Sequence, residues 1–321
     1  MKKQDLLANL ESIPATIGII FFKKDDKLLY LRRSGNIRKS LSNFFNASSE
    51  VDVIFQLISQ TTTIDWDVGK NALQILATEK EQINKQRPEF NEKLNFWRHY
   101  FYFAIDFYKV PYFKAAEDTQ KDKFYIGPFR SNFFILDLIA SFAELLQAPA
   151  CEGEDFPCHR LKEDKCLGYC VQELHKVQDL IRKYYLRPNF SWLQELEQKQ
   201  EELLAELQFS QAELLKKQIK IIREYYQHLQ FLLSIKKISW KGNLAGASYK
   251  IENGILTKAA DLEFAVVLPE YRENEILAVN KEQLDEMLWC YNFLKRTVPE
   301  KLDKQQQETL DELKNMGYLE S

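Results

Sequence analysis

What the chain lacks narrows it first. No run of about 18 consecutive apolar residues occurs, so no transmembrane helix is expected. The opening MKKQDLLANLES carries two lysines, but Asp5 and Glu11 interrupt any apolar segment of a secretory leader, and a cytoplasmic protein with no membrane partner is expected. Charge of one sign is missing too. The 44 Lys and Arg against 47 Asp and Glu leave −3, which argues against a chain built as a basic nucleic-acid binder throughout. Cysteine is absent from residues 1–150, while four of the five fall in residues 151–170, as Cys151, Cys158, Cys166 and Cys170. In a reducing compartment four clustered thiols point to a metal site rather than to a disulfide scaffold.

What is present reads as globular. Apolar residues make up 45% and charged residues 28% of 321, more chain than one ordinary core organises. The pattern predicts an α+β protein with boundaries near 95, 190, 237 and 298. IGIIFFK and LLYLRR read as a β-hairpin turned at Lys24–Lys27, and Asn36 as the cap of the helix IRKSLSNFF. An amphipathic helix is expected over about residues 70–86, closed by Pro88. These make a small α/β module, 1–95, whose first 45 residues hold nine Lys and Arg against four acids. That end faces solvent or an anionic partner.

Residues 96–190 open on FWRHYFYFAIDFYKVPYF, a strand covered on both faces by aromatics that pack as core or stack on bases. A turn is expected at Gly127-Pro128, then a helix from Ser131 to Leu146 and the cysteines. Residues 191–237 predict an antiparallel helical hairpin turned near Gln208. Leu215, Ile219, Ile222, Tyr226, Leu229 and Leu233 recur at spacings of three and four, with Leu196, Leu203 and Leu207 facing them. Residues 238–298 read as short strands, a turn at Asn253-Gly254, and a helix from Lys281 to Lys295 that buries Cys290. The charged, Gln-rich segment 299–321 reads as a loosely held helix. Asp261 and Glu263 have no third carboxylate or histidine placed with them, so the 238–298 module reads as structural or as a binding accessory.

The cysteines follow C-x6-C-x7-C-x3-C. Four thiolates within twenty residues can wrap a single zinc ion or an iron–sulfur cluster, although paired C-x2-C knuckles are missing. Free structural thiols are the plain alternative.

At this point the sequence resembles a family, the N-terminal part of UvrC, the incision protein of the bacterial ABC excinuclease, together with its shorter homologues. Four stretches carry the resemblance: IPATIGIIFFKKDDKLLYLRRSGNIRKSLSNFF, LATEKEQINKQRPEFN, FYIGPFRSNFFILDLIASFAELL with the cysteines after it, and LQFSQAELLKKQI. They resemble, in order, the start of the GIY-YIG nuclease, its Glu-bearing helix, the family's Phe-Gly-Pro-Phe segment, and the hairpin that meets the excinuclease protein UvrB. The spacing of Cys158, Cys166 and Cys170 keeps the family's C-x7-C-x3-C register.

The resemblance implies a small GIY-YIG-like module, a cysteine-cluster module, a UVR-like helical hairpin and a small C-terminal β/α module. It implies a [4Fe–4S] cluster on Cys151, Cys158, Cys166 and Cys170, with zinc as the alternative, and DNA as partner through Arg32, Arg33, Arg38 and Lys39. The excinuclease protein UvrB would meet residues 191–237. For catalysis it implies Tyr30, Glu79 as ligand of Mg or Mn, and Asn91. A metal-dependent phosphodiesterase needs a carboxylate for the ion, a group to deliver the nucleophile and a cation for the transition state. Two of these positions depart: Ile20 stands where the family has Tyr, and Ser40 where it has the catalytic Arg. Arg32 replaces the Gly of the second half-motif. The expectation is a DNA-binding repair-type protein with an inactive or impaired nuclease site. The alternatives are a divergent endonuclease using Tyr30 and Glu79 with Arg33 or Arg38 recruited, and a metal-stabilised interaction scaffold with no DNA role. The family's second, RNase-H-like nuclease would not fit in residues 238–298.

Overall fold

The computed structural model describes residues 10–46, 52–151, 158–169, 173–265 and 270–319. The chain opens on β1 (Gly18–Lys24) and β2 (Lys27–Ser34), joined by a turn with Asp25 in the left-handed region. Helices α1 (Ile37–Asn46) and α2 (Asp52–Gln60) lead to β3 (Thr63–Val68), α3 (Ala72–Gln86) and the short α4 (Glu89–Lys93). Next come β4 (Phe101–Ile105), β5 (Phe113–Ala116), β6 (Phe124–Phe129) and α5 (Asn132–Leu145). Beyond the cysteines α6 (Leu174–Leu180) runs into a π-turn (Ile181–Tyr185), then the hairpin α7 (Phe190–Ala205) and α8 (Phe209–Ile235). Strands β7 (Ser239–Leu244), β8 (Ala247–Glu252), β9 (Ile255–Ala259), β10 (Leu262–Glu263) and β11 (Leu277–Ala278) precede α9 (Leu284–Thr297) and α10 (Pro299–Asn315). The fold class is mixed α and β, as the pattern predicts.

These elements form two compact units, neither continuous in sequence. The first combines Met1–Phe96, Ser239–Val267 and Asp285–Thr297. Its first sheet is antiparallel, in the order β2-β1-β3. Alternation along β1 and β2 sends Ile20, Phe22 and Tyr30 to one face, where they meet Ile37, Leu41, Leu57 and Phe90. Ile19 and Leu31 face the other way onto Ile75 of α3. Each fully buried side chain of this size contributes about 1.5–3 kcal/mol. Asn36 caps α1 by accepting the Lys39 N–H, and Asn71 caps α3 by accepting that of Gln74. The second sheet, in the order β10-β9-β8-β7, belongs to the same unit, and Trp240 on β7 packs its ring on Phe293 of α9.

The second unit holds Trp97–Ile238, Leu268–Leu284 and Val298–Ser321. Its sheet runs β11-β6-β4-β5, with β11 parallel to β6 and the other pairs antiparallel. The aromatic run is core: Tyr102, Phe103 and Phe107 are buried. Phe142 of α5 lies 4.2 Å from the Tyr185 ring and 5.8 Å from that of Trp192. The hairpin forms with its turn at 206–208, and all six seam residues from Leu215 to Leu233 are buried. The seam does more than hold the hairpin closed, because α8 also packs on α5 and α10.

Three expectations need correction. Gly127-Pro128 is not a turn but the buried middle of β6, because β4 and β11 flank that strand on both sides. Leu207 does not face the seam. It sits in the left-handed region at the hairpin turn, 71% exposed. The C-terminal helix is not loosely held: Leu302, Gln305, Thr309 and Leu313 of α10 are buried in the second unit. Its Gln-rich composition conceals a narrow stripe at spacings of three and four.

Candidate functional site

The site grows from one misfit in α3. Ile75, Glu79 and Ile83 follow at intervals of four, so a carboxylate occupies the stripe that the helix turns to the sheet. Glu79 is 8% exposed, and a charge so placed needs a partner. Arg33 on β2 supplies it. Its backbone N–H donates to Glu79 Oε1 at 3.0 Å, and its guanidinium donates to Glu79 Oε2. Burial pulls the Arg33 pKa down, but the carboxylates of Glu79, Glu286 and Asp285 outweigh it and leave the guanidinium above its usual value.

Helix α9 closes over this pair. The Trp289 ring lies 5.3 Å from the Arg33 guanidinium carbon, and its indole N–H donates to the Ala72 carbonyl at 2.8 Å. Glu286 Oε1 accepts from Lys80 Nζ at 2.7 Å and from the Leu256 N–H at 2.9 Å. Lys80 Nζ also donates to the Leu256 carbonyl, fastening α3 to β9. Asp285, Glu286 and Trp289 carry no local mark that distinguishes them from other surface residues of a helix, and sequence reasoning passed over them. Cys290 beside them is fully buried, as expected, and burial pushes its thiol far up.

The other expected catalytic positions are built into the framework. Tyr30 is buried against Phe22 and Phe44. Burial raises its pKa, with Glu79 and Asp285 adding to the rise against Arg32 and Arg33, so the phenol stays protonated. Asn91 completes the edge of the sheet: its Oδ1 accepts the Leu31 N–H at 2.9 Å and its Nδ2 donates to the Leu31 carbonyl at 2.8 Å. Ile20 is a core residue at 1% exposure. The Ser40 hydroxyl shares a hydrogen bond of 2.6 Å with that of Ser34.

The expected DNA-contacting residues divide. Arg33 is held by Glu79, and Arg38 donates to the carbonyls of Ile13 and Glu11, which ties down the 3-10 turn before β1. Lys39 is exposed and Arg32 half-buried. Glu79, the position expected to hold a divalent metal, is thus hydrogen-bonded through both oxygens to Arg33.

With that geometry in place, residues 17–92 match the family profile described as the UvrC-like GIY-YIG domain. The N-terminal segment is a UvrC-like GIY-YIG domain. The chain is similar to UvrABC system protein C of Mesoplasma florum, 25% identical over 86% of this chain and 46% of that protein. The counterpart of Acinetobacter baumannii is 25% identical over 77% of this chain and 42% of that one. The chain thus spans less than half the length of these relatives. Among solved structures it is similar to the GIY-YIG N-terminal endonuclease domain of UvrC from Thermotoga maritima bound to magnesium. That likeness has 20% identity over 28% of this chain and 99% of that one, with a TM-score of 0.26.

Of the four clustered cysteines, three lie among the described residues. Cys166 is buried and its Sγ accepts the Gly168 N–H at 3.4 Å, while Cys151 and Cys158 are half-buried. Cys158 precedes one helical turn, His159–Lys162, and His159 is exposed. Cys170 lies outside the described residues. Among the described residues no three His, Cys, Asp or Glu side chains form a group that could hold a metal ion. The expected ligand set for a [4Fe–4S] cluster or zinc is not brought together by the three described thiols. No helix among the described residues is long and apolar enough to cross a membrane.

Proposed function

We propose that this chain is a DNA-binding protein of the nucleotide-excision-repair type whose UvrC-like GIY-YIG site does not cut. The observation that carries the reading is the buried Arg33–Glu79 pair beneath Trp289, which takes both oxygens of the carboxylate that a metal would need. Ile20 and Ser40 support it, since neither can supply a phenol or a cation to a phosphorane. The test is supercoiled plasmid with Mg²⁺ or Mn²⁺. The chain is expected to nick no faster than a metal-free control. Robust nicking that Glu79→Gln abolishes would establish the divergent endonuclease instead.

A docking role for the hairpin is favoured by a separate observation. Leu204, Leu207, Phe209 and Leu214 near its turn are 43%, 71%, 61% and 48% exposed, an apolar tip open to solvent. The excinuclease protein UvrB is the partner that the UvrC resemblance implies there. Leu207→Asp/Phe209→Asp is expected to abolish co-purification with UvrB while leaving the melting temperature unchanged. Capture undiminished by the two aspartates would move the contact elsewhere.

A further inference from the structure

A second basic surface lies far from the N-terminal end in sequence. In the second unit α6 and the π-turn after it line an open cavity of about 480 Å³. Among the described lining residues four are cations, Lys176, Arg182, Lys183 and Arg187, and Asp179 is the one acid. Lys176 and Leu180 share one side of α6, while Arg182 and Lys183 lie in the π-turn and Arg187 just beyond it. Arg182 would point off that side in an uninterrupted α-helix. The chain departs from α geometry here, with the Leu186 N–H donating to the Ile181 carbonyl five residues back. The wider turn lets Arg182 share the opening. π-turns are uncommon and concentrate at functional sites.

Among the described residues, ion pairs neutralise only part of this charge. Asp179 meets Arg182 at 3.2 Å, and Glu173 meets Lys176 at 2.7 Å. Lys183 and Arg187 are exposed, and Lys183 lies 5.1 Å over the Tyr184 ring. Tyr169 gives the cavity a second aromatic wall, with Lys176 at 4.9 Å from its ring. Cations around aromatic rings suit a phosphate with a base or sugar attached. A carboxylate ligand would use the charges and leave the rings idle.

We infer that this cavity is a binding site for phosphate groups carried by nucleic acid or by a free nucleotide. The nucleic-acid source rests on the DNA-binding reading above; the site itself does not. Three full-length proteins decide it: the parent, Arg182→Gln/Lys183→Gln/Arg187→Gln, and the charge-matched control Lys301→Gln/Lys304→Gln/Lys314→Gln on α10. Each is titrated with a labelled 30-nucleotide single strand, the matching duplex, ATP and inorganic phosphate, across a salt series. The cavity variant is expected to bind DNA about tenfold more weakly or worse at low salt. Its salt slope should fall by about one for each lost contact. The control should match the parent. ATP binding lost in the cavity variant, with DNA binding unchanged, assigns the free nucleotide as the source. Affinities for DNA, ATP and phosphate that are the same in variant and parent overturn the site. So does a parent that binds none of the four probes. The nicking result is independent of all these outcomes.

Discussion

Glu79→Ala is expected to destabilise the first unit by about 3–5 kcal/mol, whereas Arg33→Met/Glu79→Leu should stay close to the parent. The single change leaves the Arg33 guanidinium buried, 15% exposed at the side chain, with its nearest carboxylate gone. Asp285 and Glu286 remain near it, but Glu286 is already committed to Lys80 and the Leu256 N–H. Removing both charges instead extends the apolar stripe of Ile75 and Ile83 to the sheet. It also keeps a long side chain under Trp289. Such replacements of buried pairs are often neutral or stabilising. Urea unfolding of the two variants beside the parent gives the comparison. If the double variant loses as much as the single, packing rather than the unpaired charge sets the cost, and the pair is not the element that closes the site.

Restoring the two departed residues, in Ile20→Tyr/Ser40→Arg, is expected to yield a protein that is less stable and still does not nick plasmid. Ile20 is enclosed by a core that includes Phe22, Tyr30 and Leu41, so a phenol ring overpacks it at a cost of about 1–3 kcal/mol. Its hydroxyl adds an unpaired buried polar group. At Ser40 an arginine removes one of the two partners of the Ser34 hydroxyl, which is buried at 3% exposure and keeps only the Asn36 N–H. Neither change frees Glu79 from Arg33. Each missing transition-state group is worth about 10²–10³ in rate, but only where the metal is bound first. Plasmid nicking and thermal melting measured on the same preparations check both halves. A variant that nicks while the parent does not would show that Ile20 and Ser40 alone silence the site.

The two experiments ask different questions. The first asks whether the ion pair is a structural lock. The second asks whether the lock, and not merely two absent side chains, keeps a metal away from Glu79. The hairpin and the basic cavity lie in the other unit, so their tests do not depend on either result.

Much of this was legible in the sequence, because it is written in local pattern. The turn at Asp25, the Asn36 cap, the two-residue alternation of β1 and β2, the turn at Asn253-Gly254 and the seam of α8 each depend on neighbours a few positions away. The family resemblance was legible for the same reason, in short motifs kept in order. The sequence by itself also determined that Ile20 and Ser40 stand where the resemblance implies a Tyr and an Arg. What it left open is where Glu79 sends its oxygens. Its partner is 46 residues away, and the helix that covers the pair lies more than 200 residues on. A buried charge is satisfied by whichever group the fold brings to it, and no local period records that choice. Gly127-Pro128 shows the same limit, a turn by composition made into a strand by the two strands beside it. Only the tertiary structure decided that the Glu79 carboxylate meets Arg33, with the Trp289 ring over the guanidinium.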